Sequence, residues 1–232
     1  MCIIHKDGLK YAFTHRSFQE YFAAKFICNA KPAITKKILD DTIGLYGKDN
    51  VILLSLAINR EKIETDWLLE KLSDLIIELK PYVDSENIAG FYSVLFDGID
   101  FGVSSKGLRI GLNSANAHLY MLIFNEYKIT EEHRKSLIGE SVDQDEQARI
   151  NRQKDDFFIA AKHLEPELID AAEDHHNVHL RLTGSPVEWL HQTSLADDYK
   201  EIYTSLTKTK LKLEEKSKKQ DQSLLEFLDN SE

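Results

Sequence analysis

The sequence predicts a mainly α protein, with an N-terminal β-hairpin leading into a helical bundle and room for a small α/β element in the middle. Three observations predict it. Apolar residues recur at helical spacing over most of residues 15–80 and again after residue 197. The clearest period-two alternation lies in the first fourteen residues. Only four prolines and ten glycines punctuate 232 residues, too few for a loop-rich all-β fold or a long flexible linker.

The elements follow in order. Cys2, Ile3 and Ile4 form a short apolar strand, Lys6-Asp7-Gly8 is a turn signal, and Leu9, Tyr11 and Phe13 alternate with Lys10, Ala12 and Thr14 as a half-buried strand does. A helix starts at once, because Ser17 and Glu20 have the S-x-x-E spacing of a capping box. Phe18, Phe22 and Phe26, with Tyr21 and Ile27, give it a broad aromatic face, and Pro32 ends or restarts it. Ile34, Ile38 and Leu39 open the next helix, punctuated by Gly44 and Gly47. Val51, Leu54 and Ile58 mark another, and Trp67, Leu68, Leu72, Leu75, Ile76 and Leu79 a third that Pro81 stops. Short connections favour antiparallel packing of neighbours. Phe91 to Phe101 fits a strand or a buried helix equally, Leu108 to Leu112 a short strand, and Ala115 to Tyr127 a helix. A polar stretch, Glu140 to Asp156, precedes an apolar helix with Phe157, Phe158, Ala161 and Leu164, and Gly184-Ser185-Pro186 is a break. From Asp197 a helix carries Tyr199, Ile202, Tyr203, Leu206 and Leu213, then becomes rich in Lys and Glu; it reads as a projecting helix or a frayed tail.

Composition narrows the function classes. Apolar residues at 42% and charged residues at 29% describe an ordinary globular chain. The net charge of −10 disfavours general nucleic-acid binding. Residues 1–37 nevertheless hold Lys6, Lys10, Arg16, Lys25, Lys31, Lys36 and Lys37 against Asp7 and Glu20, a surplus of five positive charges, so the rest carries fifteen negative ones net. Such a segment faces something anionic or forms a solvated charged face. Two cysteines, Cys2 and Cys28, make no disulfide framework, which fits a reducing compartment. No apolar stretch is long enough to span a bilayer and no signal segment opens the chain, so a cytoplasmic location without membrane partners is expected.

The segment Tyr11-Ala-Phe-Thr-His15-Arg-Ser-Phe-Gln-Glu20-Tyr-Phe-Ala-Ala24 is the most informative. It resembles the end of the winged-helix domain in NACHT-domain NTPases of the STAND class, a group that includes bacterial NACHT defence proteins and NOD-like receptors. Their pattern is roughly F-x-H-x-S-F-Q-E-[FY]-x-A-A, and Phe13, His15, Ser17, Phe18, Gln19, Glu20, Tyr21, Ala23 and Ala24 match it. The match covers about the first 30 residues. The resemblance implies that the hairpin is a winged-helix wing remnant, and that residues 1–30 end the winged helix. It further implies that 31–83 are a helical domain, 84–196 a sensor or effector-like domain and 197–232 a charged helical tail. It implies that His15 contacts a phosphate of bound nucleotide. An imidazole just before a helix N-terminus suits that role, since it can donate to a phosphate oxygen where the helix dipole favours an anion.

In that family the phosphate loop and the acidic metal-holding motif precede the winged helix, and nothing precedes the hairpin here. The chain is therefore expected to be the C-terminal regulatory part of such a switch, a fragment or split subunit, and not itself an enzyme. ATP or ADP would bind only together with an upstream NTPase domain or subunit, through which a homo-oligomer could also form. For bacteria the resemblance implies antiphage defence or signalling. Gly44-Leu-Tyr-Gly47-Lys48-Asp49 has glycines too close together for a phosphate loop, with Asp49 where Ser or Thr should hold magnesium. Val94-Leu-Phe-Asp97-Gly-Ile-Asp100 imitates the acidic motif, an apolar strand followed by D-G-x-D, but reads as a strand-to-turn segment.

Two readings from other classes stand beside this one. The chain can be a stand-alone helical interaction module whose hairpin and helix are core elements. It can also be a metal-dependent hydrolase, because His175 and His179 would share a helix face, close to His176, Glu173 and Asp174; HExxH is absent and no third ligand is fixed. Thr14-His15-Arg16-Ser17 resembles a ribonuclease III string, without that family's acidic helix after it. No Arg stands five positions before a His, as the R-x4-H signature of HEPN ribonucleases requires, and Asp197-Asp198-Tyr199-Lys200 reads as a solvated helix face.

Overall fold

The computed structural model describes residues 4–7, 10–13, 15–96, 99–104, 107–110, 114–127, 178–182, 191–192 and 195–229. They are mainly α-helical. The chain divides into two compact units, one formed by residues 1–73 with 210–232 and the other by residues 74–209.

In the first unit, β1 (Ile4–Asp7) and β2 (Lys10–Phe13) pair antiparallel, Ile4 opposite Phe13 and Asp7 opposite Lys10. Three helices follow: α1 (Arg16–Asn29), α2 (Pro32–Thr42) and α3 (Val51–Ile63). Lys31 is extended (ψ 149°) before Pro32, which starts α2 at the position where a missing N–H costs nothing. The buried Thr35 hydroxyl donates to the Ile27 carbonyl at 3.0 Å, so the start of α2 satisfies an acceptor at the end of α1. Ala24, Ile27 and Cys28 of α1 pack with Leu39, Val51, Ile52, Leu56, Ile63, Trp67 and Leu68 in this unit's core. Fully burying one such large apolar side chain stabilises the fold by about 1.5–3 kcal/mol.

Helix α3 is kinked. Asn59 leaves helical geometry (φ −151°, ψ 76°), and its Oδ1 accepts from the Lys62 amide at 3.2 Å, the bond an N-cap residue makes. The chain then widens into a single π turn, Glu64–Leu68, before α4 (Leu69–Asp84). In that turn Trp67 is fully buried and its indole donates to Asp40 Oδ1 at 2.8 Å, while Lys71 pairs with Asp40 at 3.1 Å. The buried Glu64 carboxylate accepts from Lys216 at 2.5 Å and lies 3.8 Å from Arg60.

Pro81 does not stop α4 as the sequence leads one to expect; it lies inside the helix, which runs on to Asp84. Proline removes a bond to the carbonyl four residues back, and Ile77 there is 69% exposed, so water can reach it. The helix closes with Glu86 left-handed (φ 53°), the Asn87 amide donating to the Tyr82 carbonyl and the Glu86 amide to Val83, a Schellman closure without glycine.

The second unit holds the described residues from Asp74 to Thr209, and the last helix runs on past it. The run Phe91 to Phe101 divides between α5 (Ile88–Phe96) and β3 (Ile99–Ser104). Strand β4 (Gly107–Ile110) and β5 (Val178–Leu182) flank β3, both antiparallel to it, in the order β4-β3-β5. Helix α6 (Ala115–Tyr127) is anchored on the end of α5, where Ser114 Oγ donates to the Leu95 carbonyl at 2.7 Å and Asn116 to Val94 at 3.1 Å. Ser114 also caps α6, accepting from the Ala117 amide at 2.9 Å. Helix α7 (Leu195–Asp229) runs unbroken, with Tyr199, Ile202, Leu206, Thr209 and Leu213 buried at alternating three- and four-residue steps. No helix of the described residues is long and apolar enough to cross a membrane.

Candidate functional site

Thr14 and the turn between the strands lie outside the described residues, so the site begins at His15. His15 is extended (φ −142°, ψ 136°) and is itself the N-cap of α1. Its Nδ1 accepts from the Ser17 amide at 3.3 Å and stands 2.7 Å from the Ser17 hydroxyl. With Nδ1 accepting, the neutral ring carries its proton on Nε2. His15 is exposed.

The capping box expected from Ser17 and Glu20 does not form. Histidine has taken the cap position, and Glu20 turns inward instead, 8% exposed. Its carboxylate meets the Arg16 guanidinium at 3.0 Å and accepts from Asn50 Nδ2 at 3.2 Å. Arg16 also donates to the Lys48 carbonyl at 2.8 Å, tying the start of α1 to the loop before α3. Beside the imidazole the start of α1 thus carries the exposed Arg16, paired with the buried Glu20 carboxylate. The bonds from Arg16 to Lys48 and from Asn50 to Glu20 escaped the sequence reading because the partners lie about thirty residues apart.

The glycine-rich segment before α3 is a structural turn. Gly47 is left-handed (φ 83°), a conformation glycine takes without strain. The Lys48 and Asp49 amides both point to the Leu45 carbonyl, and Asp49 Oδ1 accepts from the Val51 amide at 3.2 Å. Amides engaged in this way do not cradle a phosphate. The second imitation fails differently: Val94 to Phe96 end helix α5 rather than a strand, Asp97 and Gly98 lie outside the described residues, and Asp100 pairs with Arg181 in the sheet register.

The aromatic face of α1 also departs from expectation. The residues it buries are Glu20, Ala24, Ile27 and Cys28, which bring α1 against α3. Small side chains allow that close approach, and their spacing in the sequence is the signal that marks the inner face. Tyr21, Phe22 and Phe26 stand 44%, 46% and 60% exposed. Phe13 stacks on Phe22 at 5.9 Å between ring centroids, and Tyr21 meets Phe22 edge-on at 5.6 Å. Between α1 and α3 an open groove of about 850 Å³ is lined by Phe18, Tyr21, Phe22, Leu53, Leu54 and Ala57, among others.

His179 sits on strand β5 opposite Gly102, not on a helix, so the shared helix face with His175 does not exist at that position. His175 and His176 lie outside the described residues. Among the described residues no three His, Cys, Asp or Glu side chains gather to hold a metal. Asp198 and Lys200 lie on α7, where Lys200 pairs with Glu86 at 2.9 Å; that bond first, and the lysine's charge second, hold the Glu86 carboxyl below its ordinary value. Burial, partly offset by Lys25 and Lys62, pushes the Cys28 thiol above its ordinary value, and its Sγ lies 3.4 Å from the Ser55 carbonyl as a donor.

No family model, no curated protein and no solved structure matches the chain.

Proposed function

We propose that this chain is a regulatory part of a NACHT-type STAND nucleotide switch, in which the β1–β2 hairpin is the wing, α1 the last helix of the winged-helix element, and His15 a phosphate contact for nucleotide held by an NTPase domain outside this chain. The observation that carries the reading is the state of His15. His15 is exposed and its Nδ1 is occupied by the first turn of α1, which leaves Nε2 as the nitrogen that can donate to a phosphate beside a helix N-terminus. Helix α1 has no acidic residue in its first turn to compete for that position. A charge-assisted bond from imidazole to phosphate contributes about 1.5–3 kcal/mol, enough to bias a hinge between closed and open arrangements.

The test joins the chain to the coding sequence immediately upstream of it and follows release of a fluorescent ADP from the product. Nucleotide should be retained, and His15→Ala should speed its release about tenfold, the equivalent of one such hydrogen bond. Release that His15→Ala leaves unchanged would remove the reading.

The reading of the chain as a helical interaction module is favoured by a separate observation, the exposed aromatic side of α1. The two are compatible, since a switch module must also bind.

A further inference from the structure

The outer side of α1 is unusual in composition. Its exposed residues are Arg16, Ser17, Gln19, Tyr21, Phe22, Lys25, Phe26 and Asn29: three aromatics, two cations and no carboxylate. The only carboxylate of the helix, Glu20, is buried and held by Arg16 and Asn50. The other wall of the groove comes from α3 and is apolar at Leu53, Leu54 and Ala57. The single carboxylate of α3, Glu61, stands one turn past Ala57 and outside the lining. Lys48 is exposed at the end where Arg16 reaches its carbonyl.

We propose that this groove receives an amphipathic helix of a partner protein, with an apolar stripe that seats against Phe22 and Leu54 and continues over Phe26, one turn along α1 beyond the lining, and carboxylates along its border that meet the exposed Arg16 and Lys25 of α1. Two adjacent helices present a furrow into which a third packs its ridge of apolar side chains. The lining runs from Ser17 to Phe22 on α1 and from Asn50 to Ala57 at α3, about two turns of each helix, and the exposed side of α1 continues beyond it to Phe26. The charge pattern selects the kind of helix. A second copy presenting the same face would set Arg16 and Lys25 against their own counterparts, which like charges oppose. A nucleic acid would find cations and aromatic rings, but most of the floor, at Leu53, Leu54 and Ala57, has nothing to pair with base edges, and of the polar lining residues Ser17, Glu20 and Asn50 the carboxylate is already held by Arg16 and Asn50. Ser17, which His15 caps, also lines the groove, so the two readings are told apart by their variants: His15→Ala tests the phosphate contact, and Phe26→Ser and Ala57→Glu test the groove.

The test uses the full chain and a fluorescein-labelled synthetic helix of about four turns, with leucines along one stripe and glutamates on both borders. Its twin has the same leucines and lysines on the borders. Anisotropy titrations should show the glutamate peptide binding about tenfold tighter than the lysine twin. Phe26→Ser, at a position 60% exposed, and Ala57→Glu, at an exposed position in the groove wall, should each weaken it about tenfold while the thermal midpoint stays put. Ile77→Ser, on another exposed apolar side chain, should change nothing, and His15→Ala should leave peptide binding intact. Several results overturn the proposal: equal affinity for the two peptides, no binding of either, or indifference to both groove variants. So does displacement of the peptide by a short single-stranded oligonucleotide, or a concentration-dependent dimer in light scattering that Phe26→Ser dissolves.

Discussion

Helices α1 and α5 are both rich in aromatic residues, and the fold treats them in opposite ways. On α5, Phe91 and Tyr92 are 0% and 1% exposed; Phe91 meets Tyr199 edge-on at 5.6 Å and Tyr92 stacks on Phe96 at 5.8 Å. On α1, Phe22 and Phe26 stand about half in solvent while alanine, isoleucine and cysteine make the core. Hydrophobicity alone does not decide which aromatics a chain buries. A helix with small residues on one side can approach its neighbour closely there and leave its bulky side outward. An outward aromatic side gains nothing from burial unless something else covers it, which is why α1 reads as a binding surface and α5 as a core.

The contrast can be broken first at its extremes. Phe91→Ala should destabilise the chain by about 3–5 kcal/mol, the cost of emptying a packed aromatic site, whereas Phe26→Ala should stay within about 0.5 kcal/mol. Urea unfolding of the two variants side by side measures the difference, and equal losses would mean that the α1 aromatics are structural after all. A smaller effect is expected at the polar residue on the inner side of α1. Glu20→Ala removes a buried acceptor from Arg16 and Asn50 and should cost about 2 kcal/mol, as loss of hydrogen bonds to a charged group does. A thermal midpoint unmoved by Glu20→Ala would show that solvent replaces those bonds. The smallest effect is confined to alkaline solution. Burial first, and the Asp198 charge second, push the Tyr120 phenol up to about 12. A phenol with its folded value above its unfolded one contributes stability that is complete below pH 10 and lost as pH rises through 12. At pH 11 the loss should be about 1 kcal/mol, and Tyr120→Phe should remove that part of the pH dependence.

Much of the helical layout was legible in the residues. Ala115 to Tyr127 reads as a helix and is one, and the stripe after Asp197 gives the buried positions of α7 because Tyr199, Ile202, Leu206 and Leu213 repeat as a packed helix requires. What sequence reasoning missed depended on geometry across the chain. Ser17 and Glu20 have capping-box spacing, but nothing local announces that Asn50 and Arg16 will claim the glutamate or that His15 will take the cap. Phe18, Phe22 and Phe26 share a helical face whichever way that face points, and only the position of α3 fixes its direction. Pro81 is a helix breaker in isolation, yet it lies inside α4 with the residue four back, Ile77, on the exposed side of the helix. The kink at Asn59 had a signal, an N-cap residue in mid-helix with a free amide three places on, and that pattern is worth reading elsewhere.

The π turn at Glu64–Leu68 accommodates one residue more than an α-helical turn needs. A single deletion inside those five positions would therefore close the backbone into ordinary helix with its ladder intact, where the same deletion in α1 would rotate one flank into the other. Two side chains of that turn are fastened at once, the Trp67 indole to Asp40 and the Glu64 carboxylate to Lys216. A shortened chain would still be helical, but it would have to give up one of those two fastenings.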